Sequence, residues 1–147
     1  HGVTSGPEYP QYKEDLERYS KKELRELSKN YKDTFNGLGK LFNLAKQTKK
    51  PIIFLSHNVP FNTPIDKITN KESPRYGYHY GSLIARELVV KHQPLVCIGG
   101  HMHEHFTSCK LGKTVCINAG FGSYVNVFME IDKSKIKKLK FYHGKKD

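Results

Sequence analysis

The stretch Leu95-Val96-Cys97-Ile98-Gly99-Gly100-His101-Met102-His103-Glu104-His105 decides the reading. Its four apolar residues suit a buried strand, the two glycines let the backbone turn, and imidazoles follow at the carboxyl end, where ligands gather in open α/β sheets. Pro51-Ile52-Ile53-Phe54-Leu55 runs in the same way into Ser56-His57-Asn58-Val59-Pro60. Two apolar strands therefore each deliver histidine at their carboxyl ends, and neutral imidazole is a good ligand for zinc, manganese or iron. In an extended segment residues two apart share a face, so His101, His103 and His105 are expected on one side.

Around these strands the pattern is regular. Ser20-Lys21-Lys22-Glu23 reads as a capping box, and Leu24, Leu27, Tyr31, Phe35, Leu38, Leu41, Phe42 and Ala45 follow at helical spacing, predicting a long amphipathic helix to about Lys49. Gly37 and Gly39 weaken its middle and suggest a kink or a close approach to the sheet. The strand Pro51–Leu55 follows, and then a long loop from Ser56 to Tyr76 that carries Pro60, Pro64 and Pro74. Gly81 to His92 reads as a second helix, which Pro94 stops. Phe106–Leu111, Thr114–Asn118, Tyr124–Ile131 and Ile136–Tyr142 read as sequential strands, so strand–helix–strand is expected to give way to a run of antiparallel strands. A two-residue turn at Gly112-Lys113 would set Cys109 opposite Cys116 as a pair of buried thiols.

With 147 residues the chain has the size of one domain, 1–147. It carries 25 Lys and Arg against 14 Asp and Glu, a formal charge of +11 that attracts phosphate-bearing ligands or nucleic acid. Much of that excess falls before Lys50 and between Lys133 and Lys146, where charge reads as a solvated face. No apolar run approaches the roughly 20 residues a membrane helix needs, and no signal peptide is recognised. Three cysteines, an odd number, argue against a secreted disulfide framework, so a cytoplasmic location is expected. The chain opens on His1, which reads as a processed or trimmed polypeptide.

Ser56 and His57 are adjacent in sequence and make a poor nucleophile and base pair. Neither a Gly-x-Ser-x-Gly elbow nor a P-loop is present. Each histidine has a plainer reading as well. His57 could be a hydrogen-bonded core residue, His105 reads as a surface or supporting residue, and His92 falls near a helix carboxyl end, where positive charge is favoured. His79, between the long loop and the second helix, reads equally as substrate-facing or as a helix-entrance residue. His1 and His143 are too near the termini to be informative.

Ser56-His57-Asn58-Val59-Pro60 and Gly100-His101-Met102-His103 together resemble the single-histidine and Gly-His-x-His motifs of calcineurin-like metallophosphoesterases. Glu104, Gln93-Pro94 and Asn118-Ala119-Gly120 fit compact prokaryotic members of that family. The resemblance spans roughly residues 51 to 130. It implies an α/β, or α+β sandwich, architecture: the carboxyl-terminal half of a four-layer αββα fold, with two parallel strands and helices followed by antiparallel strands. It implies a metal-dependent phosphohydrolase, cleaving a phosphate mono- or diester with two divalent ions (Mn, Fe or Zn) and a hydroxide bound between them. His57 and His101 would hold one ion and His103 the other, with Asn58, His79 and His105 beside the substrate or supporting the ligands.

The family's amino-terminal motifs, Asp-x-His, Gly-Asp and Gly-Asn-His, are absent before His57. Asp15 and Asp33 lie in helical, charged surroundings and belong to none of them. No catalytic residue beyond the metal ligands is therefore assigned to this chain, which alone is expected to be inactive. The expected partners are a phosphoester substrate, with nucleotides among the candidates, and the missing amino-terminal half, in cis or as a separate chain. No membrane partner is expected. The alternative reading is a non-catalytic scaffold of the same fold that binds a protein partner.

Overall fold

The structure is a computed structural model that describes residues 6–120 and 125–144. His1, and Tyr124 at the start of one expected strand, lie outside the described residues. The elements in chain order are α1 (Lys13–Leu16), α2 (Lys21–Gln47), β1 (Ile53–Asn58), α3 (Leu83–His92), β2 (Val96–Gly100), β3 (Ser108–Leu111), β4 (Thr114–Asn118), β5 (Val125–Asp132) and β6 (Lys135–His143).

Helix α2 begins where the sequence says it should. The Ser20 hydroxyl accepts from the Glu23 N–H, and the Glu23 carboxylate accepts from the Ser20 N–H at 2.7 Å. The helix runs unbroken through Gly37 and Gly39. Of the kink or close approach to the sheet that these glycines suggested, Gly39 gives a close approach, but to α3, since a Cβ there would come 3.7 Å from His92 Nε2. The start of α3 is satisfied from far along the chain. The Glu8 carboxylate accepts from Leu83 N at 2.8 Å and from Ile84 N at 3.3 Å, which places negative charge at the positive end of the helix.

The four-stranded sheet has the order β1-β2-β4-β3. The strands β1, β2 and β4 are parallel, and only β3 runs against its neighbour. The expected antiparallel run after β2 is thus corrected. Strand β3 peels off and hairpins back, so β4 enters the sheet beside β2 in the same direction. Strand β1 also extends past Leu55 through Asn58, which pairs with Gly100 beyond a bulge.

Alternation sorts the side chains into two faces. Phe54, Cys97 and Cys116 face the helices and join Phe42, Ile84, Ala85, Leu88 and Val89 in the main core. Cys109 is opposite Cys116, as expected, and Cys97 is opposite Cys116 on the other side, so the three free thiols form one row. The hydrogen bond with the Cys116 thiol, followed by burial, raises the Cys109 thiol pKa; at Cys116 the bond with Cys109 acts to lower the value, but the Cys97 thiol and burial outweigh it and push it up to about 12. Val96 and Ile117, on the second face, are fully buried. The β5–β6 hairpin lies along this face. Its turn residue Ser134 lines one pocket with Pro51, Pro94 and Leu95, while His143 at its far end sits near Phe106, with ring centroids 6.5 Å apart. The order of layers is helices, mixed sheet, hairpin. At the free edge Ile53 stays exposed, as do Leu41 and Leu44 of α2. Leu41, expected in the buried stripe, lies outside it. No helix among the described residues is long and apolar enough to cross a membrane.

Candidate metal centre at the strand carboxyl ends

His57 and His101 are brought together by the parallel pairing of β1 with β2. Their ring nitrogens, Nε2 of His57 and Nδ1 of His101, stand 3.2 Å apart, with ring centroids separated by 4.9 Å. Two features of the backbone set this up. A bulge between Leu55 and Asn58 re-aims the end of β1, as bulges beside functional sites do. Gly99 lets the two strand ends touch, because a Cβ there would fall 2.8 Å from the backbone C and O of Asn58 and the N of Val59.

His101 has a φ of 65°, a left-handed conformation that side-chain-bearing residues seldom adopt and that concentrates at functional sites. His105 is left-handed too, with φ 55°. The segment after Gly100 is therefore not extended, and the expected shared face for His101, His103 and His105 does not form. His103 is exposed in the loop. Among the described residues no group of three or more His, Cys, Asp or Glu side chains is placed to hold a metal ion.

The loop is held by three ties. Buried Asn118 at the end of β4 donates through Nδ2 to Met102 O at 2.9 Å and to Glu104 O at 2.6 Å. The Glu104 carboxylate accepts from Thr69 N at 2.8 Å and from the Thr69 hydroxyl. Burial acts to raise the Glu104 pKa, but the two Thr69 donors and nearby His105 outweigh it and hold the carboxyl below its usual range. His105 Nε2 lies 3.0 Å from Lys67 O and donates to it, so His105 ties the histidine loop to the long loop.

Asn58 and His79 are likewise occupied by the fold. Asn58 Nδ2 donates to Tyr80 O at 2.9 Å, and its Oδ1 accepts from Val59 N. His79 Nδ1 donates to Asp66 Oδ1 at 2.8 Å. Asp66 is fully buried and also accepts from the N–H groups of Asn62, Thr63 and Gly81 at 2.7–3.0 Å. Asp66 was not among the residues singled out in the sequence. The only available signal was an acidic residue three positions after Thr63 in a proline-bearing loop, a pattern shared by many ordinary turns.

His92 departs from its helix-dipole reading. It is buried at the end of α3, stacks on Phe42 with centroids 4.7 Å apart, and neither of its ring nitrogens has a hydrogen-bond partner among the described residues. Burial, followed by the charges of Lys46 and Lys91, lowers its pKa and favours the neutral ring.

At this distance one ring N–H can donate to the nitrogen of the other ring, a pairing that needs no ion, and the same spacing also meets the geometry of two nitrogens on one cation. Two nitrogens each about 2.1 Å from a shared ion, at an angle of about 90–109°, stand about 3.0–3.4 Å apart. The observed 3.2 Å falls inside that interval. The chain matches no protein-family model, no curated protein and no solved structure.

Proposed function

We propose that this chain is the histidine-bearing half of a divalent-metal phosphoesterase of the calcineurin-like class. His57 and His101 are the ligands of one cation and His103 contributes to a second. The observation that carries this reading is the 3.2 Å approach of the His57 and His101 ring nitrogens at the carboxyl ends of adjacent parallel strands. Divalent ions held there would activate water and neutralise charge on phosphoryl oxygens. The chain's own part is positional. Gly99 and the β1 bulge bring the two rings together, while Asn118, Glu104 and His105 fix the loop that carries His101 and His103.

The Asp-x-His, Gly-Asp and Gly-Asn-His groups belong, in this reading, to an amino-terminal half joined in cis or supplied as a separate chain. That half would also complete a four-layer αββα sandwich. The layer order of helices, mixed sheet and hairpin supports this, as do the apolar side chains left exposed at the β1 edge. The substrate is a phosphate mono- or diester, and the net charge of +11 favours an anionic one such as a nucleotide. The enzyme is assigned to the cytoplasm.

The test is calorimetric titration of the chain with manganese and with zinc, comparing the wild type with His57→Ala and His101→Ala. Binding that is lost in both variants supports the site, and unchanged affinity in both overturns it. A wild-type chain that binds neither cation supports the non-catalytic scaffold reading instead. Restoring an amino-terminal half should then give manganese-dependent hydrolysis of an aryl phosphate that His101→Ala abolishes.

A further inference from the structure

The β5–β6 hairpin has two unlike faces. Val127, Met129, Ile131, Ile136, Leu139 and Phe141 are half-buried towards the sheet, while Asn126, Phe128, Lys138, Lys140 and Tyr142 are exposed on the opposite side. The cross-strand register on that outer side pairs Asn126 with Tyr142, Phe128 with Lys140 and Glu130 with Lys138. Phe128 is 46% exposed and Tyr142 52%. The two rings are diagonal neighbours on the two-stranded surface, a relation that sets backbones about 7–8 Å apart. Lys138 Nζ lies over the Phe128 ring at 5.8 Å, and Lys140 stands directly across from Phe128. The acidic residues of this face lie towards the turn, where Asp132 is engaged by Lys137 at 3.6 Å.

From this arrangement we infer that the outer face of the hairpin binds single-stranded nucleic acid. Two exposed flat rings on one strand pair, with lysines between and beside them, match the two needs of such a ligand. Unpaired bases stack on aromatic faces, and the phosphates that follow them are neutralised by ammonium groups. The chain's charge of +11 supplies the long-range attraction. A duplex keeps its bases stacked inside and has no use for the rings. An acidic protein would use the lysines alone. The surface is separate from the His57–His101 pair, and its binding does not depend on any cation there.

The test is fluorescence anisotropy of a labelled oligothymidylate of about twelve nucleotides, within the usual site sizes, titrated with the full chain at low and moderate salt. The expected result is binding that weakens linearly on a log–log plot against salt. Phe128→Ala and Tyr142→Ala should each reduce affinity at least about fivefold, the lower end for loss of one stacked base. Phe128→Leu and Tyr142→Leu keep apolar bulk but remove the flat ring, so they should weaken binding similarly while leaving circular dichroism unchanged. Lys138→Gln with Lys140→Gln should reduce the salt slope by about 1.4, at about 0.7 for each contact. Absence of binding at low salt overturns the inference. So does binding indifferent to both rings, or equal competition by duplex DNA or polyglutamate, since each would mean that charge alone acts.

Discussion

Asp66→Asn is the most demanding perturbation the structure offers, because it changes hydrogen-bonding capacity with almost no change in shape. Asp66 Oδ2 accepts from Asn62 N at 2.9 Å and from Gly81 N at 3.0 Å. Its Oδ1 accepts from Thr63 N at 2.7 Å and from His79 Nδ1 at 2.8 Å. An amide nitrogen at the Oδ2 position would face two buried N–H groups, whereas at the Oδ1 position it faces the Thr63 N–H alone, because the His79 ring can change tautomer and accept from it. The asparagine takes the second orientation, and one orphaned buried donor costs about 1–3 kcal/mol. That is a sizeable share of the roughly 5–15 kcal/mol typical of a folded domain. In urea, with a slope of about 2 kcal/mol per molar, the unfolding midpoint should fall by about 0.5–1.5 M. The assay is urea denaturation followed by circular dichroism. A midpoint shift below about 0.3 M would refute the claim that this carboxylate organises the loop between β1 and α3, at that same slope. Since that loop carries Lys67 and Thr69, which hold His105 and Glu104, the variant should also bind cations more weakly at the His57–His101 pair.

Other substitutions probe other parts of the argument. Gly99→Ala should force the ends of β1 and β2 apart, costing about 1–3 kcal/mol by overpacking and lowering cation affinity in the calorimetric assay. Buried His92 has a pKa lowered below its unfolded value, so the unfolded chain binds the extra proton. Its contribution is fully present above the unfolded pKa of about 6.5 and is lost as pH falls towards the lowered folded value. His92→Phe, which keeps the ring against Phe42 and removes the proton site, should flatten the fall in thermal stability between about pH 7.5 and about pH 5.5. An unchanged slope in that variant would assign the pH dependence to other groups.

Much of this architecture could be read before any coordinates. The Ser20/Glu23 capping box, the apolar runs at Ile53 and Val96, and the Gly112 turn each carry local signals that fix an element by themselves. The meeting of His57 with His101 was legible for the same reason, since His57 lies at the carboxyl end of β1 and His101 directly follows β2. What escaped was set by long-range partners. The direction of β4 depends on its pairing with β2. The role of Asp66 depends on backbone groups on both sides of a long loop, and Glu8 caps a helix more than seventy residues away. The left-handed turn at His101 broke the alternation that made His101, His103 and His105 look equivalent, because two-residue periodicity holds only while the backbone stays extended. His92 was misjudged because its position near a helix end was visible and its burial against Phe42 was not.

The parallel pairing of β1 with β2 also bears on the order in which the molecule assembles. Hairpins such as β3–β4 and β5–β6 close short loops and are entropically cheap to start. The β1–β2 contact must enclose the long loop and all of α3 before it is rewarded. The two imidazoles meet only across that contact, the longest-range strand pairing in the sheet. A cation that needs both of them would bind the finished fold and not its precursors, so the rate at which binding capacity appears during refolding should follow the closing of the sheet rather than the formation of its helices or hairpins.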